Sequence, residues 1–230
     1  MSTNNLIELH QVTKRFPVGD GEFTALSDIN LSFSKGEFAG LIGPSGSGKT
    51  TLLNLIGALD DSTEGEIKIN GKNIANNSDE ASALLRNEHI GFIFQSYNLL
   101  PVYTIYENVE FPLILQKIPK EDRKIMVLQA LEWVGLKDIA NKKPSQISGG
   151  QAQRVAIARS IVKKPEIILA DEPTANLDSE NAYKIMDILK NLNEELGITF
   201  LFSSHDSKVI KYLKRVISLE DGKIINDEVK

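Results

Sequence analysis

Short runs of alternating apolar and polar residues open the chain. Residues 6–12, Leu-Ile-Glu-Leu-His-Gln-Val, alternate loosely and predict an edge strand. Residues 17–21 predict a loop. Ile29, Leu31 and Phe33 then alternate more strictly, and Lys35-Gly36-Glu37 turns that strand into the apolar run 38–42. Residues 60–65 predict another loop, followed by a strand over 66–69 and a tight hairpin turn at Asn70-Gly71. A short polar helix over 78–87 is expected to turn Ala81, Leu84 and Leu85 inward, before a buried strand over 90–94 that ends at Gln95. From Ser96 the period changes from two to near 3.6. Helices are predicted over 106–115 and 120–134, the second with Ile125, Leu128, Leu131 and Val134 on one side and Trp133 packed beside them. A further helix follows Ile147-Ser148-Gly149-Gly150-Gln151. The continuous apolar run 167–170 suits a central parallel strand covered on both faces. A helix over 179–196, a buried strand over 199–202 and a hairpin of 215–220 with 223–226 complete the series. Strands alternating with helices indicate an α/β domain, and 96–164 reads as a helical insertion in it.

The chemistry gathers at strand ends. Gly43, Pro44, Ser45, Gly46, Ser47, Gly48, Lys49 and Thr50 lie between an apolar strand and the helix that Thr51 continues. That context gives G-x-x-x-x-G-K-[ST] its meaning as a phosphate-binding loop. A triphosphate needs many donors at once, which glycine backbone N–H groups and a helix N-terminus supply together. Lys49 is expected to reach the β- and γ-phosphates, and the Thr50 hydroxyl to ligate Mg²⁺. Gln95, Asp171-Glu172 and His205 each follow a buried strand, and ligands of open α/β sheets bind beyond the carboxyl ends of the strands. Asp171 is the residue expected to hold Mg²⁺, through water, and Glu172 to accept a proton from an attacking water. Gln95 can contact both the ion and the water through its amide. Structural alternatives stand beside these readings: a solvated acidic pair, a polar strand end at Gln95 and a structural histidine at 205. Phe16 is either a half-buried strand aromatic or a stacking platform for a base. Ser148-Gly149-Gly150 is either a helix N-cap or a second anion site that serves another copy of the chain.

Composition narrows the class. The 230 residues suffice for one large domain, apolar content is ordinary, and the formal charge of −5 lacks the basic footprint of a nucleic-acid binder. With no cysteine there is neither disulfide nor thiolate metal site. No run approaches the about 18 apolar residues of a membrane span, and Met1-Ser2-Thr3-Asn4-Asn5 has no signal-peptide pattern, so work at a membrane is expected to need a partner.

Taken in order, these motifs resemble the ABC ATPases: the phosphate loop as Walker A, Gln95 as Q-loop, 147–151 as the LSGGQ signature, 167–172 as Walker B, Ala175-Asn176-Leu177-Asp178 as D-loop, His205 as H-loop and Phe16 as A-loop. The resemblance covers essentially the whole chain. It implies a P-loop α/β fold with a RecA-like core, an N-terminal antiparallel β subdomain and a helical subdomain. Within a single domain over 1–230, about 1–95 and 165–230 would form the ATP-binding core and 96–164 the helical signature subdomain. It further implies a homodimer that sandwiches ATP and Mg²⁺ head to tail, with Ser148, Gly149, Gly150 and Gln151 of one copy capping the nucleotide of the other and Asp178 linking the two sites. Phe16 would stack on adenine, and the helical insertion would dock a separate membrane permease, placing the chain in the cytoplasm on the inner face of the membrane.

A narrower resemblance lies in residues 90–101, Glu107-Asn108-Val109 and 169–174, which are similar to the lipoprotein-release and macrolide-export subfamily. Coupling of ATP hydrolysis to export or lipoprotein release is the function this implies. An ATP-driven regulatory switch on a membrane scaffold, as in cell-division ATPases, is the alternative. A DNA-repair or ribosome-associated ATPase would call for a second nucleotide domain or extra insertions, and no nucleic-acid partner is expected. The chain departs from the family pattern at Ile147, Ala152, Ala175 and Ser204, none of which removes a catalytic atom.

Overall fold

A computed structural model describes residues 5–75 and 77–230. The reading of Met1 to Asn4 as free of a signal pattern lies outside the described residues. Two sheets carry the fold. The first is antiparallel, in the order β2 (Gly21–Ser34), β1 (Asn5–Val18), β4 (Glu64–Ile69), β5 (Lys72–Asn73). The second runs β10 (Lys223–Val229), β9 (Arg215–Glu220), β3 (Phe38–Ile42), β8 (Thr199–Ser203), β7 (Ile167–Asp171), β6 (Ile90–Ile93). From β9 to β6 this sheet is parallel, and β10 adds antiparallel at one edge.

The continuous apolar runs divide by a period of two, because successive side chains point to opposite faces. Ala39, Leu41, Ile167, Leu169 and Leu201 join one core together with the antiparallel sheet and α1 (Lys49–Ile56). Phe38, Ile168, Ala170, Phe200 and Phe202 join the other, under α3 (Ile105–Leu115), α4 (Lys120–Trp133), α5 (Gly149–Ile161) and α6 (Ser179–Leu196). Each central strand is thus buried on both faces, as a parallel strand must be. Phe38 packs on Phe200 and Phe202 at ring centroids of 5.5 and 4.7 Å.

Several expectations change. The first strand is interior, since β1 pairs with β2 on one side and β4 on the other. It also continues through Pro17 to Val18, where a loop was expected. Alternation reports which face is buried and carries no trace of a partner strand some fifty residues away. In α2 (Asp79–His89) Ser82 is the buried residue, while Ala81 and Leu84 are exposed. In α4 the buried stripe is Val127, Ala130, Leu131 and Val134, and Ile125 is 67% exposed. α4 carries more apolar residues than one stripe can hold, so packing picks the face, while the polar α2 gives the core Leu85 of its two leucines. The closing hairpin does more than pair with itself, since β9 also lies parallel beside β3. A short α7 (Ser207–Ile210), capped by Asp206, was not foreseen.

Candidate active site

Parallel β3, β7, β8 and β6 bring their carboxyl ends to one edge, and a cleft of about 470 Å³ opens there. Phe16, Ser45, Gly46, Gly48, Lys49, Thr50, Thr51, Gln95, Glu172 and His205 line it, and Gly43, Pro44, Ser47 and Asp171 do not. Ala175 of the D-loop lines it as well, as do Phe23, Ala25 and Ser203, which no sequence motif brought to the site.

The phosphate loop is built by backbone geometry. Gly48, the N-cap of α1, has φ of 103° and offers no side chain to cap the helix. A Cβ there would lie 2.7 Å from Leu26 Cδ2 and 2.8 Å from Ala25 O, so only glycine fits. At Gly43, with φ of 151°, a Cβ would fall 2.1 Å from Leu219 O. The first N–H groups of α1 therefore stay open at the positive end of the helix. Lys49 is 7% exposed, and its Nζ donates to Gly43 O at 2.9 Å and Pro44 O at 2.8 Å. Two of its three donors thus hold the ammonium in the loop. Ser47 Oγ in the loop and Ser203 Oγ in the cleft wall are both buried with no partner among the described residues. An orphaned hydroxyl next to an uncapped helix start matches an oxygen-rich anion.

Across the cleft, the Thr50 hydroxyl donates to Asp171, at 3.2 Å from Oδ1 and 3.1 Å from Oδ2. Among the described residues no cluster of three His, Cys, Asp or Glu could hold a metal. A hydroxyl and one carboxylate, completed by waters and phosphate oxygens, is the donor set that suits Mg²⁺.

Glu172 has φ of 46°, a left-handed backbone in a non-glycine residue, and its N–H donates to Ser203 O at 2.9 Å. That turn aims its side chain, which is 17% exposed, at His205, 72% exposed. Nδ1 lies 2.6 Å from Glu172 Oε1, and Ser204 Oγ donates to Oε2 at 3.3 Å. A carboxylate oxygen accepts, so in this pairing Nδ1 carries the hydrogen. His205 is thus bonded to the carboxylate, a pairing that strand-end position alone does not show. Ala175 sits without a positive φ, its N–H donating to Glu172 O at 3.2 Å, so alanine is no strain there. Gln95 reaches the cleft, and its carbonyl accepts from Asn176 Nδ2 at 2.9 Å.

Ser148, Gly149, Gly150, Gln151 and Asp178 do not line this cleft. Ser148 caps α5 in a reciprocal box: Gln151 N–H donates to Ser148 Oγ at 3.3 Å, and Ser148 N–H to Gln151 Oε1 at 2.9 Å. The N-cap alternative therefore holds within the chain, while Ser148 and Gly149 remain exposed. Asp178 caps α6 through Asn181, whose backbone and side-chain N–H groups donate at 2.9 and 2.6 Å and hold the carboxyl below its ordinary range. The Glu107-Asn108 pair has structural work: Glu107 completes the Thr104 cap of α3, and buried Asn108 ties down Leu100 and Thr104.

The model of the ABC transporter family matches residues 26–175. The chain belongs to this family. It is 45% identical over 227 residues to MJ0796, an uncharacterized ABC transporter ATP-binding protein of Methanocaldococcus jannaschii, covering 97% of each chain. It is 42% identical over 224 residues to the macrolide export ATP-binding/permease protein MacB of Burkholderia thailandensis, covering 97% of this chain and 34% of that one. Its fold superposes with a TM-score of 0.90 on the dimeric, post-hydrolysis structure of MJ0796 bound to ADP and Pi, at 44% identity, covering 97% of this chain and 98% of that one. No helix among the described residues is long and apolar enough to cross a membrane.

Proposed function

We propose that this ABC ATPase is the ATP-binding and ATP-hydrolysing subunit of an export-type transporter, and that it works as a head-to-tail pair coupled to a permease. The observation that carries this is the split between two helix starts. The phosphate loop opens into the cleft, while Ser148 to Gln151 stand outside it at a helix start where Ser148 and Gly149 are exposed. A second copy would bring its signature over the first copy's loop, joined by Asp178 at the seam. The assembly of MJ0796 as a dimer supports the pairing, and the joint ATP-binding and permease name of MacB supports the permease.

Each residue then has a task. Lys49 and the α1 N-terminus hold phosphate charge, and Phe16 carries the base. Thr50, Asp171 and Gln95 would hold Mg²⁺, which when bound neutralises charge on the phosphate oxygens. Glu172 accepts the proton of the attacking water, and His205 orients that carboxylate. Residues 96–164 form the helical unit and 1–95 with 165–230 the ATP-binding unit. Beside the join, Leu59, Phe92, Phe94, Phe111 and Leu115 line an apolar groove rimmed by Arg86 and Lys163, and a cytoplasmic segment of the permease is assigned to it. The chain would thus sit on the inner face of the membrane through that partner.

The test is capture of the partner. Tagged Glu172→Gln chain, purified from gently solubilised native membranes in Mg-ATP, is expected to bring down a permease with a large external domain. A cell-wall scaffold with its hydrolases would favour the regulatory role, and recovery from the soluble fraction with ribosomes or repair proteins would contradict the membrane assignment.

A further inference from the structure

The cleft has two chemically different ends. Every hydrogen-bonding side chain that lines it belongs to the phosphate loop, the start of α1 or the strand ends, whereas Phe16 and Phe23 of the β1–β2 hairpin give it an apolar wall. Phe16 and Phe23 are direct partners in the β1–β2 ladder. Directly opposed residues of an antiparallel pair project from the same face, so both rings leave the hairpin toward the cleft. Lys14 Nζ sits over the Phe16 ring, 4.8 Å from its centroid, anchored by Asp60 Oδ1 at 2.6 Å and Asp61 O at 2.7 Å. One face of Phe16 is therefore taken, and a base has only the other. Phe23 is 56% exposed, an aromatic that folding leaves in water where it lines the cleft. Large apolar side chains left exposed against a ligand cleft are contact surface for the ligand.

We propose that Phe23 is a second base-binding residue, and that the pair selects nucleotides by stacking area instead of by hydrogen bonds. This rests on the nucleotide reading above. No lining side chain at the aromatic end carries a donor or acceptor to read the exocyclic groups of a base. Sites that read a substrate by hydrogen bonds reject the wrong one strongly, whereas apolar walls discriminate weakly and by size. The site therefore takes purine nucleotides with little distinction between adenine and guanine, and disfavours pyrimidines.

Titration calorimetry of the full chain with ADP, GDP, CDP, UDP and inorganic tripolyphosphate, each with Mg²⁺, tests this. ADP and GDP should bind within about threefold of each other and the pyrimidine diphosphates about tenfold more weakly, the scale of lost base stacking. Phe23→Ala should weaken ADP and GDP about tenfold and narrow the purine–pyrimidine gap, with tripolyphosphate unchanged, and Phe23→Trp should keep tight purine binding. Unchanged ADP affinity in Phe23→Ala would overturn the assignment, as would equal weakening of ADP and tripolyphosphate. GDP binding more than about thirtyfold weaker than ADP would overturn selection by area. If the unaltered chain bound neither ADP nor tripolyphosphate, the nucleotide reading itself would fall and this proposal with it.

Discussion

Two helices of this chain begin on glycine-rich sequence with the same dipole, yet their starts are finished differently. At α1 the N-cap is a left-handed glycine without a side chain, a buried lysine is folded into the loop, and a buried serine hydroxyl has no partner. At α5 the N-cap Ser148 and Gln151 satisfy each other, and Ser148 and Gly149 are exposed. The first start is left incomplete inside a cleft, which is the condition of a ligand site. The second is complete in itself, so it adds to a ligand site only when another molecule brings one to it. The same anion-binding physics thus gives a cradle in one place and a lid in the other.

Substitutions can break or sharpen this contrast. The largest effect should come from Glu172→Gln, which is expected to bind Mg-ATP but hydrolyse it at least ~100-fold more slowly, the scale of losing a general base. Steady-state turnover with a separate binding titration checks it, and near-normal turnover would remove Glu172 from that role. Lys49→Ala should weaken nucleotide binding by about 30-fold, the order of one charged hydrogen bond, as measured by calorimetry. Unchanged affinity would deny that the first helix start is the cradle. Gly48→Ala should destabilise the fold by about 2 kcal/mol in denaturant melts, because a left-handed backbone and a close approach to Ala25 O both reject a Cβ. Ser148→Ala should cost only about 1 kcal/mol, the loss of an ordinary cap.

A separate test is a pH dependence. Burial lowers the Lys163 ammonium from 10.5 to about 8. Between those values the unfolded chain binds a proton that the folded chain has released, so stability rises with pH there. Relative to Lys163→Met, the unfolding free energy of the unaltered chain should climb by at most about 1.4 kcal/mol per pH unit across that window and be flat below it. A flat difference up to pH 10 would show that Lys163 is not desolvated.

The sequence carried the site better than it carried the packing around it. Lys49, Asp171, Glu172 and His205 were legible because each sits at a fixed place in a strand-to-loop pattern, and parallel strands deliver those places to one edge. The two faces of the central strands were legible for the same reason, as uninterrupted apolar runs. Ile125 was misplaced because a helix with surplus apolar residues takes its face from its neighbours, and Leu84 because the polar α2 turns only Leu85 of its two leucines to the core. The interior position of β1 depended on β4, which arrives only after the phosphate loop. Phe23 looked like any strand aromatic until its register put it opposite Phe16. The bond between Glu172 and His205 joins side chains from two adjacent strand ends, and the left-handed turn at Glu172 that directs it has no glycine to announce it.

The central claim is that a second copy's signature completes the cradle. Light scattering of the Glu172→Gln chain with Mg-ATP, beside the same chain carrying Ser148→Arg, tests it most directly. The account predicts a mass twice that of the chain for Glu172→Gln, and a single-chain mass with nucleotide still bound once Ser148 is replaced. A single-chain mass for both proteins with nucleotide bound, or a pair that Ser148→Arg leaves intact, would contradict it.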